Sequence, residues 1–443
     1  MICVTQYWKW LGCILLLMAP SSLLAEDFKI DGQILQRSEI RNGYGNLRPA
    51  DSDPAIFTGQ RSRINAIYSG ERTEFKVSGQ DIRIWGSTPQ MKASDNFLSI
   101  HEAWGRFNLT GDLFLKAGRQ ELAYDEQRFL GNVDWALQAR AHDIFLLQYE
   151  GNPYSVQGGA AFNQEEARLT GHFYDLPGQY KSAQFAWANL DTASLSLSGL
   201  FWNEGRQFLT EDPEGDFVAE VNHVQAFGLT DAQWESNPLS ARAFYHHQTG
   251  EDTLGRDKNA YNLGVELNYT FPVFEDHKLG LTGGFEILSG QSQIENDDEN
   301  NAFQPSYGTN HRFNGYMDYF YAGGRHVNTV GLQDYHLRVK YEFSPEAFLS
   351  LNTHYFLADG NIADPEDPGP EAVMDSYLGT EIDLTGGLVL YGPFSIQAGY
   401  SHMLGTSSFE TLRGGSHDDL NQWGYIALLF RPGEEGPFTG LKF

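Results

Sequence analysis

The chain has 443 residues, with 30 Lys and Arg set against 58 Asp and Glu for a formal charge of −28. So acidic a balance argues against a nucleic-acid partner. Its two cysteines are Cys3 and Cys13, too close to the start to staple a fold of this size.

The first residues read as a secretory leader: Lys9, an apolar run from Trp10 to Pro20, then small residues up to Ala25 ahead of Glu26 and Asp27. Eleven apolar residues fall short of the roughly 18–20 a spanning helix needs. Cleavage after Ala25 is expected, and it removes both cysteines. Leu11-Gly12-Cys13 resembles a lipoprotein box but stands at the start of the apolar run, the wrong place for lipidation.

From residue 55 the chain alternates apolar and polar residues, the period of a strand whose two faces meet different surroundings. Nineteen candidate strands are predicted, at 27–40, 55–69, 72–86, 98–109, 112–121, 142–150, 154–162, 167–176, 181–189, 193–202, 221–231, 238–248, 260–271, 278–289, 331–343, 347–357, 376–385, 392–402 and 421–432. Most can supply the roughly 9–11 tilted residues that cross an outer membrane. Single-chain barrels of bacteria have even strand numbers, so the expected fold is all-β, a transmembrane antiparallel β-barrel of about 18 strands, monomeric, filling residues 26–443. Tyr68, Trp85, Tyr269, Tyr341, Tyr355, Tyr400 and Trp423 fall on apolar faces near strand ends and are expected to form the girdles at the membrane surfaces. Gly111-Asp112, Asp191-Thr192 and Ser344-Pro345 read as tight turns, whereas 294–300 and 361–371 are long and acidic. Those runs lack the ligand spacing of a calcium loop and read as solvated.

Residues 26–140 contain 15 Lys and Arg, eleven of them Arg, against 16 Asp and Glu, whereas 141–443 contain 14 against 42. Cationic density therefore concentrates in the first quarter. Strand phase sets Arg61, Arg63 and Asn65 opposite Ile64 and Tyr68, Arg106 opposite Phe107, and Arg83 opposite Ile82 and Ile84. A lipid-facing arginine at mid-depth costs about 2–4 kcal/mol, so all four are expected to face the lumen.

Residues 115–143, LKAGRQELAYDEQRFLGNVDWALQARAHD, resemble the Gly-Arg-Gln to Asp-Trp to Arg signature of the alginate export family of outer-membrane porins. HRFNGYMDYFY at 311–321, VGLQDYHLRVKY at 330–341, LGTEIDL at 378–384 and GYSHMLGT at 399–406 resemble its C-terminal half. The resemblance, from about residue 30 to 431, implies an eighteen-stranded monomeric barrel lined by basic residues that passes an anionic polysaccharide, alginate in the eponymous members. The middle of 115–143 loses its alternation and is expected to fold inward as a constriction. Lys116, Arg119, Arg128 and Arg140 join Arg61, Arg63, Arg83 and Arg106 as candidate passage residues.

No nucleophile elbow, His-Glu-x-x-His helix or phosphate loop occurs, and His246 and His247, being adjacent, point to opposite strand faces. No catalytic residue, metal or cofactor is expected. The expected partners are outer-membrane lipid and an anionic polysaccharide or small anionic solute. A general or small-anion uptake porin, and a closed structural barrel, are the alternatives.

Overall fold

The computed structural model describes residues 27–432 and Phe438, apart from residues 93, 95, 96, 275, 296, 297, 368, 370 and 371. The expected leader at 1–25 lies outside the described residues. In chain order the strands are β1 (Asp27–Asn42), β2 (Ala55–Ser69), β3 (Thr73–Ile84), β4 (Leu98–Thr110), β5 (Leu113–Gln120) and β6 (His142–Glu150). Next come β7 (Tyr154–Phe162), β8 (Ser182–Asp191), β9 (Leu195–Glu211), β10 (Phe217–Ser236), β11 (Leu239–Glu251), β12 (Asp257–Pro272) and β13 (Lys278–Leu288). The last are β14 (Glu299–Asn300), β15 (Leu332–Ser344), β16 (Ala347–Leu357), β17 (Tyr377–Tyr391), β18 (Phe394–Gly405) and β19 (Asn421–Phe430).

Two-residue β14 pairs parallel to β12, while β13 pairs directly with β15. The other eighteen strands form one antiparallel wall, closed where β1 meets β19 from Ile34–Phe430 to Asn42–Gln422. Closure is forced by the solvent, because an unpaired backbone group in hydrocarbon costs several kcal/mol. Along β12 the outward Val265, Leu267 and Tyr269 are exposed while inward Asn262 is buried. A slip of one residue would exchange those faces, so the alternation fixes the register.

Eighteen of the predicted strands are present. The nineteenth, 167–176, lies in the irregular 163–181 connection between β7 and β8, interrupted by Gly171 at φ 78°. Trp85, Tyr269, Tyr355 and Tyr400 face outward as expected, but Trp423 is 1% exposed and faces the lumen. Its strand is apolar on both faces, with Trp423, Tyr425 and Leu429 inside and Ile426, Leu428 and Phe430 outside, so alternation carried no sign there.

The tight turns at Gly111-Asp112, after Asp191 and at Pro345-Glu346 share one end of the barrel, the periplasmic end for this architecture. The opposite end bears the long connections. Two of these, 121–141 and 289–331, turn inward and fill much of the lumen with buried side chains, among them Phe129, Trp135, Phe303, Tyr316, Tyr319 and Phe320.

Candidate functional site

The 121–141 segment is held against the wall by arginines of the first two strands. Arg61 is 0% exposed. It donates from Nε to Gln33 Oε1 at 2.8 Å, from Nη2 to Asp134 Oδ1 at 2.7 Å, and from Nη1 to the carbonyls of Asp134, Ala136 and Leu137 at 3.2 Å. Arg37 donates to the Trp135 carbonyl at 2.7 Å and lies 4.3 Å over that indole. Arg63 and Arg431 also approach Asp134, at 3.6 and 3.3 Å. Trp135 then stacks on His311 of the second inward segment, centroids 4.5 Å apart.

The two segments meet through backbone as well. Gly131 N donates to Tyr307 O at 2.8 Å, Tyr307 N to Phe129 O at 3.1 Å and Thr309 N to Gln127 O at 2.8 Å. Gly131 and Gly308 permit this approach, since a Cβ would lie 2.3 Å from Thr309 Oγ1 and 2.2 Å from the Arg128 carbonyl respectively. Among the described residues, nine of the ten non-glycine residues with positive φ lie in these two segments, Val133 and Tyr321 among them. Such conformations cost about 1–3 kcal/mol each and persist only where surrounding contacts dictate them.

The space left open runs down the side of the lumen formed by β9 to β16. Near the long-loop end, Arg206, Arg256 and Lys258 face a cavity of about 730 Å3. A separate, tighter cavity, the neck, lies between Phe129, His246 and Phe303. Arg128 and Glu286 border both this neck and the next chamber, again about 730 Å3, which Arg242, Arg312 and Arg338 line. Lys278 and Lys340 follow toward the periplasmic end. Carboxylates interleave with these cations. Arg128 pairs with Glu286 and stands 3.9 Å over the Phe313 ring. Glu126 is shared between Arg242 at 2.8 Å and Arg312 at 2.5 Å. Burial pulls the Arg312 guanidinium below its ordinary pKa, while Glu126 acts in the opposite direction.

The expected passage residues divide four ways. Arg128 borders the open path. Arg61, Arg63, Arg106 and Lys116 face the lumen but away from it: Arg61 and Arg63 hold the inward segment, Arg106 pairs with Glu150 at 2.5 Å, and Lys116 lies 3.9 Å over the Trp104 ring. Arg140 donates to the Gly308 carbonyl at 3.3 Å and has no carboxylate within 4.0 Å among the described residues; burial lowers its pKa.

Arg83 and Arg119 correct the expectation, because both face outward. Arg83 pairs across β2 with Gln60, while its neighbour Ile82 sits opposite lumen-facing Arg61. Arg119 stands opposite Ala103 and Asp143 and bridges Asp143 at 2.9 Å. Both lie at the long-loop ends of their strands, where the penalty for an outward arginine falls to about 0–1 kcal/mol. Arg242, Arg312 and Arg338 were not anticipated. The alternation of β15, with His336, Arg338 and Lys340 on one face, and of β11, with Arg242 between Ala241 and Ala243, carried that signal.

A closed outer-membrane barrel narrowed by inward loops and threaded by paired charges defines a porin-like channel. Its fold matches crystal structures of Pseudomonas aeruginosa outer-membrane proteins: OpdK (TM-score 0.58, 11% identity, over 91% of this chain and 98% of that one), OpdK with vanillate (0.57, 12%, 91% and 98%) and OccK9, or OpdG (0.59, 13%, 91% and 98%). Residues 38–405 match the alginate export family, and the chain belongs to it. No curated protein is matched by this sequence.

Proposed function

We propose that the channel passes solutes that carry carboxylates, uronate saccharides of the alginate type being the class that the family points to. One observation carries the reading: Arg242 on the wall and Arg312 on the inward segment grip a single carboxylate, that of Glu126, between them. Guanidinium forks on opposite sides of a passage at that spacing suit the carboxylate of a solute equally well. Arg128 and Arg338 flank the pair, and the lysines below continue the path, so an anion is handed between cations instead of being trapped by one.

Because the two inward segments fill much of the lumen with buried side chains, short oligomers or small anions are favoured over a polymer while both segments are docked. The vanillate complex of OpdK also supports small-solute uptake as a second reading. A single chain suffices in either case, since the passage lies inside one closed barrel.

Reversal potential in planar bilayers under a salt gradient tests the reading. The channel is expected to favour anions, with block by alginate oligomers. Replacing Arg242 and Arg312 together by Gln should shift selectivity toward cations and weaken that block at least about tenfold, as expected for lost charge-assisted bonds of about 1.5–3 kcal/mol. A wild-type channel that prefers cations would overturn it.

A further inference from the structure

The lumen wall also carries a cluster that the passage of anions does not explain. His336 on β15 and His354 on β16 are directly cross-strand, their ring centroids 5.7 Å apart. Asp334 lies two residues before His336 and so shares its face. The three offer one ligand atom each, all within 4.8 Å of one another, and all three border the chamber that holds Arg338.

We propose that His336, His354 and Asp334 form a binding site for a divalent transition-metal ion, of the zinc type, open to the lumen. Two imidazole nitrogens and one carboxylate oxygen are the donor set of such ions, and three protein ligands leave a fourth position for water or a solute. The ligands stand on paired wall strands, which fixes their spacing better than a loop would.

Charge and hydrogen bonding point the same way. Asp334, Glu381 and Asp383 are 1%, 0% and 1% exposed. His354 alone faces two of them: its Nδ1 is 3.0 Å from both Asp334 oxygens, and its Nε2 is 3.8 Å from Asp383. Neither Asp383 oxygen has a partner at close hydrogen-bond geometry, although the Ser401 hydroxyl and the Glu381 carboxyl both face it. A metal ion on Nδ1 leaves the proton on Nε2, 3.8 Å from the Asp383 carboxylate, which a small rotation of the ring brings into hydrogen-bond reach. This is the outer-sphere acceptor that metal-bound histidines commonly have. The ion would also offset the buried negative charge.

The test uses the untagged full chain, folded in detergent and stripped with a chelator. Titration with Co2+ should show one ion per chain, with the visible absorption of a low-symmetry nitrogen and oxygen site, and Zn2+ should displace it. His336→Gln should weaken binding at least about tenfold, and Asp383→Asn by about 10–100-fold, the usual effect of losing an outer partner. Heat-modifiable migration confirms that each variant is folded. Absence of stoichiometric Co2+ uptake by the wild-type protein overturns the proposal without recourse to any variant, as does undiminished uptake by folded His336→Gln. The measurement involves no transport, so its failure leaves the reading of the anion passage standing.

Discussion

Arginines on the two sides of this lumen do opposite work. On the β1–β2 side, Arg37 and Arg61 divide their donors between backbone carbonyls of the inward segment and the side chains of Glu39, Gln33 and Asp134, and Arg61 has no exposed surface. On the β9–β16 side, Arg128, Arg242, Arg312 and Arg338 border open space, with three of them paired to side-chain carboxylates. Both sets would count equally in a tally of lumen charge. What separates them is the partner: a carbonyl fixed in a folded segment cannot be exchanged for a solute, whereas a side-chain carboxylate can.

The largest test of this division is Arg61→Met. Removing one partner from a buried ion pair costs about 3–5 kcal/mol, and three carbonyls lose their donor at once. The 121–141 segment should leave the wall, raising single-channel conductance severalfold in planar bilayers; unchanged conductance would show that Arg61 is not the clamp. Glu126→Gln should act on the other side with no such enlargement. It frees Arg312 and one side of Arg242, whose Nε stays on Asp231 at 2.9 Å, so anion selectivity should rise and block by alginate oligomers tighten several-fold, read as a lower blocking concentration.

A pH effect comes next. His326 in the second inward segment is buried, and burial pulls its pKa to about 4. Its Nε2 meets the Gly331 carbonyl at 2.8 Å, while Nδ1 is buried without a partner. The released segment would titrate near 6.5 and so binds more protons between about 6.5 and 4. Docking is therefore full above that window and weakens as pH falls through it. Opening events should grow more frequent from pH 7 to pH 5, and His326→Gln should flatten that trend. The smallest effect belongs to Arg83→Leu, which should change stability in denaturant by no more than about 1 kcal/mol and leave selectivity as it is.

The wall was legible because lipid and water impose a chemical period that each strand must obey. Arg61, Arg63 and Arg106 were assigned to the lumen on that basis and face it, whereas Arg83, assigned in the same way, faces outward. The period misled at Arg83, where Ile82 and Ile84 turn to the lumen near the long-loop end of the strand and Arg83 to the outside, and it carried no sign in β19, which is apolar on both faces. The passage was less legible than the wall. Nothing in the run from Glu121 to Ala141 says which arginine will hold it, because that depends on strands more than 50 residues away in the chain. Likewise the aromatic stretch 311–321 showed its kinship but not that His311 stacks on Trp135, which brings together positions 176 residues apart.

The contact between Phe129–Gly131 and Tyr307–Thr309 is made of main chain. Side-chain changes elsewhere therefore leave the link uncut so long as Gly131 and Gly308 stay glycine, and what lines the passage can vary while the two segments stay yoked. Yoked segments open as one event. The current through a single barrel should accordingly step between two levels, with no intermediate level for one segment released alone, and shortening either segment by a residue or two should abolish the step altogether.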